Sequence, residues 1–343
     1  MTSAAASSAE HLWRHEDPGV FHDTMRAAAG QLDVQPLAVE KDYWVCQALR
    51  AVATAFPGQV IFKGGTSLEK LRLIQRFSED LDLLVVADFP NVRQGKKALQ
   101  RMLAAAAEAV DSQLGPNEGG GSLGGQHRRA YVTPPLIQTG SAAPGLADPG
   151  RVLVELGQSG GRHPSDPTTV TSLLTRQLQT TTFNVAAYDD LRPFDVPVLH
   201  PGRTLLEKLL RVNNFSVDDG ARASEHGWPR IGRQFYDIWA LLGDERTLAL
   251  LADKELAREV LADCYTISEM FQGDRPAPDG GFSRCGAFAG DGPLAPRLRE
   301  HHELAMETLY YGALPGPTFD EVLERIHASA DLLDVSPTGD KPT

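Results

Sequence analysis

One stretch of the sequence, Ile61 to Val86, restricts the possible folds of this chain more than any other. It begins with a short apolar run of strand-forming residues that ends at two glycines, Gly64 and Gly65. A helix-cap pattern and a short apolar helical stripe follow, and then a second apolar strand. Glycines allow a tight turn, and the free N–H groups of a helix start favour an anion such as phosphate. The stretch therefore predicts a strand–turn–helix–strand unit with a phosphate-sized turn.

Two acids, Asp80 and Asp82, lie at the start of the second strand. Because they are two residues apart on a strand, both carboxylates should project from the same side. Mg²⁺ takes hard oxygen ligands, often one or two carboxylates together with substrate phosphates. The turn and the acid pair together predict a site for a divalent cation and a polyphosphate. A glycine turn beside a solvated acidic strand end is the simpler interpretation of either half alone.

Composition indicates the broad class of the protein. The 343 residues are 42% hydrophobic and 23% charged, which is typical of a soluble globular chain that can form a two-part body. We expect no membrane span, no export signal and three reduced thiols (at positions 46, 264 and 285), and hence a cytoplasmic protein. The net charge of −12 argues against nonspecific nucleic-acid binding but is compatible with a local basic groove.

The order of patterns predicts an α+β protein in four segments. Helices in residues 1–58 pack on a sheet domain at 59–200, a helical domain at 201–334 completes the active site, and 335–343 is a flexible tail. Further strands are predicted at 131–138, 151–156 and 193–199. The Gly-rich segment 115–125 and the segment 158–167 are predicted to be a connector and a loop.

Three more charged residues interrupt apolar patterns. Glu155 lies in a predicted apolar strand, and acids are rarely fully buried unless they are paired. It is therefore either a strand-end residue or a third acid that meets Asp80 and Asp82. Lys208 and Asp237 lie on two later predicted helices, where an isolated charge ordinarily indicates exposure or an ion pair.

The motifs resemble those of a known family. The string Gly64-Gly65-Thr66-Ser67, followed by Arg76-x-Ser78-x-Asp80-x-Asp82, resembles the first motif of the DNA polymerase β-like nucleotidyltransferases. With Lys63 before the glycines, the fuller string is similar to the AbiEii-type toxins of bacterial abortive-infection and toxin–antitoxin systems, a group that includes the MenT-type toxins. The helix with Lys208 and the helix with Arg230, Arg233 and Asp237 resemble the two later motifs of the family.

This resemblance implies a fold and an activity. The implied fold is a polymerase β-like nucleotidyltransferase core, a mixed sheet with flanking helices, followed by a helical C-terminal domain. The implied activity is Mg²⁺-dependent transfer of a nucleoside monophosphate from an NTP to an RNA acceptor, especially the 3′ end of tRNA. Such a modification would block aminoacylation and translation, and an antitoxin encoded nearby would neutralise it.

The resemblance also implies roles for individual residues. The implied catalytic residues are Asp80, Asp82, Lys208 and Asp237, and the implied metal ligands are Asp80, Asp82 and Glu155. The implied nucleotide-binding residues are Lys63, Gly64, Gly65, Thr66, Ser67, Arg76, Ser78 and Lys208. Glu155 is a ligand or a general base in this scheme. Ser78 is either a phosphorylation target, where added charge would disturb the metal ligands, or a hydroxyl that caps the turn.

Two other functions remain open from the sequence. The acidic net charge favours a nucleotidyltransferase that modifies a cationic small molecule such as an aminoglycoside. An inactive nucleotidyltransferase fold that serves as a binding module is a third possibility, against which the intact acid pair argues. The Lys208 helix and the Arg230–Asp237 helix favour the toxin.

Overall fold

A mixed seven-stranded sheet forms the centre of the N-terminal part of the chain. The computed structural model describes residues 11–114, 121–122, 127–138, 148, 150–158, 164–217, 227–269 and 273–335. The strands are β1 (Val60–Lys63), β2 (Leu81–Val85), β3 (Gly121–Ser122), β4 (His127–Val132), β5 (Val152–Gly157), β6 (Ser165–Val170) and β7 (Phe194–Leu199). Their order across the sheet is β3-β4-β5-β2-β1-β7-β6, in which β2 runs antiparallel to β1 and parallel to β5.

Helices flank the sheet and form most of the described C-terminal region. They are α1 (Trp13–Glu16), α2 (Pro18–Leu32), α3 (Pro36–Ala55), α4 (Gly64–Lys70), α5 (Val92–Ala109), α6 (Leu173–Leu178), α7 (Pro201–Val217), α8 (Gly227–Leu241), α9 (Glu245–Ala252), α10 (Lys254–Glu269), α11 (Ala295–Leu309), α12 (Phe319–Ala328) and α13 (Ala330–Leu333). Side-chain caps explain where several of these helices begin. Asp17 caps α2, whose first residue is a proline, and Asn91 caps α5.

Alternation along the strands determines which face of the sheet carries the site. Phe62, Leu81, Leu83 and Val154 are buried in an apolar core with residues of α2, α3 and α5. Their neighbours in the chain point to the other face, since successive side chains of a strand alternate. That second face holds the polar residues Lys63, Asp82 and Glu155 beside a small apolar group of Ile61, Leu84 and Leu199.

A second apolar core fills the helical region from α7 to α13. Leu68 and Ile74, from α4 and the segment that follows it, are buried in this second core. The helix after the Gly-Gly turn therefore joins the sheet to the helical region, and movement of one part relative to the other would disturb this turn. The predicted arrangement of a mixed sheet with flanking helices and a helical C-terminal region is confirmed.

Several predicted boundaries differ from the structure. The predicted loop at 158–167 was wrong in part, because β6 begins at Ser165; its polar Ser-Asp-Pro-Thr-Thr sequence suits an edge strand, which pairs with β7 alone. The strand predicted at 131–138 begins earlier, at His127, and ends at Val132, since Pro134 and Pro135 lack the N–H that a ladder needs. Most of the 115–125 connector and residues 336–343 of the tail lie outside the described residues.

Within those described ranges, no helix has both the length and the apolar character that a membrane crossing would require. The three cysteines are unpaired thiols, and all are buried.

Candidate active site

Strand pairing brings the predicted acids together in one row. Lys63 of β1 is opposite Asp82 of β2, and Asp82 is opposite Glu155 of β5. Directly opposite residues share a face of the sheet, so these three side chains are neighbours above it. Burial, followed by the charges of Glu155 and Asp80, raises the pKa of Asp82 to about 7. The row concentrates negative charge at one point.

Asp80 adds a third carboxylate beside this row. Burial raises its pKa and nearby Glu155 adds to the shift, whereas Arg233 and Arg230 oppose it. Its Oδ1 atom is buried and has no hydrogen-bond partner among the described residues. A buried carboxylate oxygen without a partner is costly, and a bound cation would relieve that cost. The three carboxylates thus fit the hard-oxygen ligand set that Mg²⁺ prefers.

In this structure the three carboxylates do not form a complete set of metal ligands. Across the part of the chain that the structure describes, no group of three or more His, Cys, Asp or Glu side chains is arranged to hold a metal ion. The residue types and the unpartnered oxygen fit a divalent cation, and the metal role of these acids therefore remains a prediction.

The glycine turn packs directly against the acids. Gly64 has a φ of +83°, and a Cβ atom there would lie 2.2 Å from Oδ2 of Asp82. A Cβ on Gly65 would lie 2.8 Å from Nη2 of Arg76 and 3.0 Å from Oγ of Ser78. Neither position has room for a Cβ atom without displacing a neighbouring side chain. The left-handed backbone of Gly64 is a second reason for glycine there.

Gly64→Ala therefore tests whether this close contact matters for activity. We expect loss of transfer activity and a lower unfolding temperature, because alanine must displace Asp82 in addition to adopting positive φ. Gly58→Ala is the matched control, since Gly58 also has positive φ (+69°) but a Cβ there meets no atom within 4 Å. The control should show only the backbone cost of about 1–2 kcal/mol, measured by denaturant unfolding. Equal activity in the two variants would contradict this prediction.

The hydroxyl groups after the glycines hold the turn together. Oγ1 of Thr66 donates a hydrogen bond to the carbonyl of Asp80 at 2.6 Å and lies 3.0 Å from Oγ of Ser78. Oγ of Ser67 donates to the carbonyl of Gly64 at 2.8 Å. All three hydroxyl residues are buried. Their side chains fix the position of Asp80 and the glycines, while the backbone N–H groups of the first turn of α4 lack intrahelical partners.

A buried ion cluster joins the glycine turn to the helical region. Nε and Nη2 of Arg76 each donate to one oxygen of Asp237 at 2.6 Å. Nζ of Lys208 donates to Oδ2 of Asp237 at 2.6 Å and to Oε1 of Gln234 at 2.9 Å. Burial alone would raise the pKa of Asp237, but Arg76 and Lys208 outweigh it and lower the pKa to about 2. Asp237 is therefore a charged anchor that orients two cations.

A family comparison covers all of these positions. A family model described as nucleotidyl transferase AbiEii toxin, type IV toxin–antitoxin system, matches residues 47–325, which is most of the chain. The chain belongs to the AbiEii nucleotidyltransferase toxin family. This membership confirms the family that the motifs indicated, and it makes the chain a member of an enzyme family.

Solved structures with a similar course of the chain share little sequence with this AbiEii protein. MenT4, a nucleotidyltransferase toxin from Mycobacterium tuberculosis H37Rv, is 16% identical with a TM-score of 0.44, over 87% of this chain and 92% of that one. JHP933 from Helicobacter pylori is 13% identical with a TM-score of 0.32, over 82% of this chain and 93% of that one. No curated protein matches the chain.

Lys63 connects the acid row to helix α7 of the AbiEii chain. Its Nζ lies 3.3 Å from Oε2 of Glu207, and this carboxylate raises the pKa of Lys63 with a further contribution from Asp82. Glu207 in turn accepts from Arg203 at 3.2 Å. Lys63 is thus shared between Glu207 and the acid row.

Three residues of the site were given no role from the sequence, although two of them belong to the later motif. Arg230 and Arg233 lie close enough to oppose the raised pKa of Asp80, and Gln234 holds Lys208. Burial, followed by the charge of Arg76, lowers the pKa of Arg233 to about 10. Their spacing from Asp237 places them within two turns of the same helix, and this spacing was the signal that could have added them to the site.

A second network of buried ion pairs holds the segment that carries the acids. Lys41 pairs with Glu79, the neighbour of Asp80, and Asp42 pairs with Lys70 at the end of α4. Lys41 and Asp42 belong to α3, so this helix holds both ends of the turn-and-acid segment. Residues 40–42 lie outside the family match, which begins at residue 47.

Proposed function

We propose that this AbiEii-family protein transfers a nucleoside monophosphate from an NTP to the 3′ end of an RNA, with tRNA as the acceptor whose modification blocks aminoacylation and translation. The observation that carries the proposal is the row of Asp82 and Glu155 beside Asp80, packed against the Gly64 turn. Family membership supports the nucleotidyl transfer and the role as a toxin. The protein would act in the cytoplasm and would be neutralised by an antitoxin encoded nearby.

The residues around the turn would bind the triphosphate. The N–H groups at the start of α4 favour anionic oxygens, and Lys63 and Lys208, each held by a carboxylate, would add positive charge. Arg76 packs under Gly65, while Thr66, Ser67 and Ser78 hold the backbone of the turn. Asp80 and Asp82, with Glu155 as a third group, would hold Mg²⁺, which when bound would polarise the α-phosphoryl group and neutralise phosphate charge.

The reaction is an in-line displacement at the α-phosphorus. The oxygen of the acceptor hydroxyl forms a new bond to phosphorus, and the bond between the α-phosphorus and the bridging oxygen breaks. Pyrophosphate leaves with that electron pair. The hydroxyl proton passes to the carboxylate of Glu155, which lies in the acid row next to Asp82. Asp237 is already bound to two cations, so we assign it a positioning role and not that of the base.

Glu155→Gln separates the two roles that the sequence left open for this residue. If Glu155 takes the proton, we expect kcat to fall by about a hundredfold or more while KM for the triphosphate is unchanged. If it is mainly a ligand, a higher Mg²⁺ concentration should restore much of the rate. Initial rates over a Mg²⁺ titration distinguish these results, and a variant with unchanged rates would exclude both roles.

Ser78 offers a route by which an antitoxin could act on this site. Its hydroxyl is buried against Thr66, so a phosphate there would break that contact and place negative charge beside the acids. We propose that such a modification inactivates the protein by opening the turn and repelling the triphosphate.

A single labelling experiment tests the proposed function. The purified protein is incubated with Mg²⁺ and each α-labelled triphosphate in turn, together with total tRNA or with a panel of aminoglycosides. We expect label on tRNA, at its 3′ end, and none when the 3′ hydroxyl has been oxidised beforehand. Label on an aminoglycoside would replace the proposal with the small-molecule enzyme, and label on neither acceptor would favour a binding module.

A further inference from the structure

The acid row continues beyond Glu155 onto the next strand. In the pairing of β4 with β5, Arg129 is opposite Glu155, and the flanking pairs are His127 with Gly157 and Tyr131 with Leu153. Opposite residues share a face, so Arg129 lies on the same face of the sheet as Glu155 and Asp82. His127 and Tyr131 lie on this face as well, because they are two residues to either side along the strand.

Side-chain contacts agree with this placement. A Cβ atom on Gly157 would lie 3.9 Å from Cδ2 of His127, so the imidazole lies over the neighbouring strand. The guanidinium of Arg151 lies 4.1 Å from the ring centre of Tyr131 and is held by Asp148 at 2.6 Å. Ala130, between Arg129 and Tyr131, is buried in the core on the opposite face. We call His127, Arg129, Tyr131 and Arg151 the β4 stripe.

The β4 stripe lies on the side of the acids that is remote from the glycine turn. Across the sheet the order is β1 with Lys63 and the Gly64 turn, then β2 with Asp82, then β5 with Glu155, then β4 with Arg129. Neighbouring strands are about 4.8 Å apart, so Arg129 lies roughly 14 Å from the strand that ends at the turn. The turn would bind the triphosphate, and an in-line attack brings the acceptor from the side opposite the leaving pyrophosphate. The β4 stripe is therefore on the acceptor side.

The chemistry of the β4 stripe indicates the class of acceptor. Arg129 is exposed, and the stacked pair of Tyr131 and Arg151 offers a flat cationic and aromatic surface beside it. Single-stranded nucleic acids are bound by cations that contact phosphates and by aromatic or guanidinium planes on which bases stack.

We propose that the β4 stripe binds the 3′-terminal single-stranded segment of the acceptor RNA, with Arg129 on a phosphate and Tyr131 under a base. This inference rests on the proposed nucleotidyl transfer to RNA and names the surface that selects the acceptor. It assigns no role in NTP binding to the β4 stripe.

The test measures RNA binding without any triphosphate. A fluorescein-labelled single-stranded RNA is titrated with the full-length protein, and anisotropy gives Kd over a series of salt concentrations. For Arg129→Gln we expect Kd to rise about tenfold at low salt and the slope of log Kd against log salt to fall by about 0.7–1. Arg129→Lys should retain the slope, since it keeps the charge. Tyr131→Leu should weaken binding without changing the slope.

Controls make the result specific. Arg101→Gln removes one exposed positive charge from α5, which packs on the opposite face, and it should bind RNA as the wild type does. KM for the triphosphate should be unchanged in Arg129→Gln. Equal Kd and salt slope for Arg129→Gln and the wild type would overturn the inference, even if the wild type labels RNA. Weaker binding by Arg129→Gln in a protein that labels no RNA would instead retain the RNA surface and overturn the proposed function.

Discussion

Asp82→Asn is expected to lower nucleotidyl transfer by about a thousandfold or more while the protein stays folded. Asp82 is the central residue of the acid row, opposite Glu155 in the strand pairing and packed against Gly64. Asparagine has nearly the same shape but lacks the charge that a cation and the transferring phosphoryl group require. Single-turnover labelling of RNA with an α-labelled triphosphate measures the loss. Asp166→Asn, at an exposed position of the edge strand β6, is the control and should transfer normally.

The same variant should gain stability when no metal is present. The pKa of Asp82 is raised from its ordinary value of 3.8 to about 7, first by burial and then by Glu155 and Asp80. Ionising a group whose folded-state pKa is raised costs folding free energy, so its cost develops as the pH rises from about 4 to about 7. In chelator, the stability of Asp82→Asn relative to the wild type should therefore increase over that range. A variant that is inactive but also less stable at pH 7 would indicate a structural role for Asp82.

The local part of this site could be predicted from the sequence because short-range rules determine it. A spacing of two residues on a strand brings Asp80 and Asp82 to one side, and a glycine pair between a strand and a helix predicts a turn. Both depend only on neighbours in the chain. The spacing of Arg230, Arg233 and Asp237 on one helix also depends only on nearby residues. The family resemblance, and no physical rule, indicated that these residues belong to the site.

The rest of the site depends on residues that are far apart in the sequence. Glu155 meets Asp82 only through the pairing of β2 with β5, and no periodicity specifies which strands become neighbours. The contact of Arg76 with Asp237 spans 161 positions, and it favours a positioning role for Asp237, which the resemblance implied to be catalytic. Strand β6 was missed because an edge strand with one neighbour tolerates polar residues and a proline.

Asp237→Asn is expected to destabilise the protein by about 3–5 kcal/mol, the largest stability loss of any single change considered. Asp237 is fully buried and holds Arg76 and Lys208, whose side chains are 1% and 10% exposed. Asparagine keeps the shape but leaves two buried cations without an opposite charge. Urea unfolding of the two proteins measures the difference in free energy. Transfer activity should fall as well, because Lys208, which we propose to bind the triphosphate, loses the carboxylate that holds it.

Asp263→Asn provides a matched comparison within the same chain. Asp263 binds Arg203 at the same 2.6 Å, but the side chain of Asp263 is 25% exposed and the buried Arg203 keeps Glu207 as a second carboxylate partner at 3.2 Å. We expect a smaller loss for this variant than for Asp237→Asn, because no buried cation is left without a carboxylate partner. Similar losses for Asp263→Asn and Asp237→Asn would contradict the idea that burial makes Asp237 essential.

A double variant distinguishes the loss of an attractive ion pair from the cost of leaving a buried cation without a partner. Lys208→Met in the Asp237→Asn background removes one of the two unpaired cations, so the double variant should be more stable than Asp237→Asn alone.

The stabilising effect of Asp237 should also depend on pH in a defined direction. Because Arg76 and Lys208 lower the pKa of Asp237 to about 2, its stabilising effect is present above about pH 4 and fades as the pH falls toward 2. The free-energy gap between wild type and Asp237→Asn should therefore narrow below pH 4, whereas a gap caused by altered packing would not change with pH.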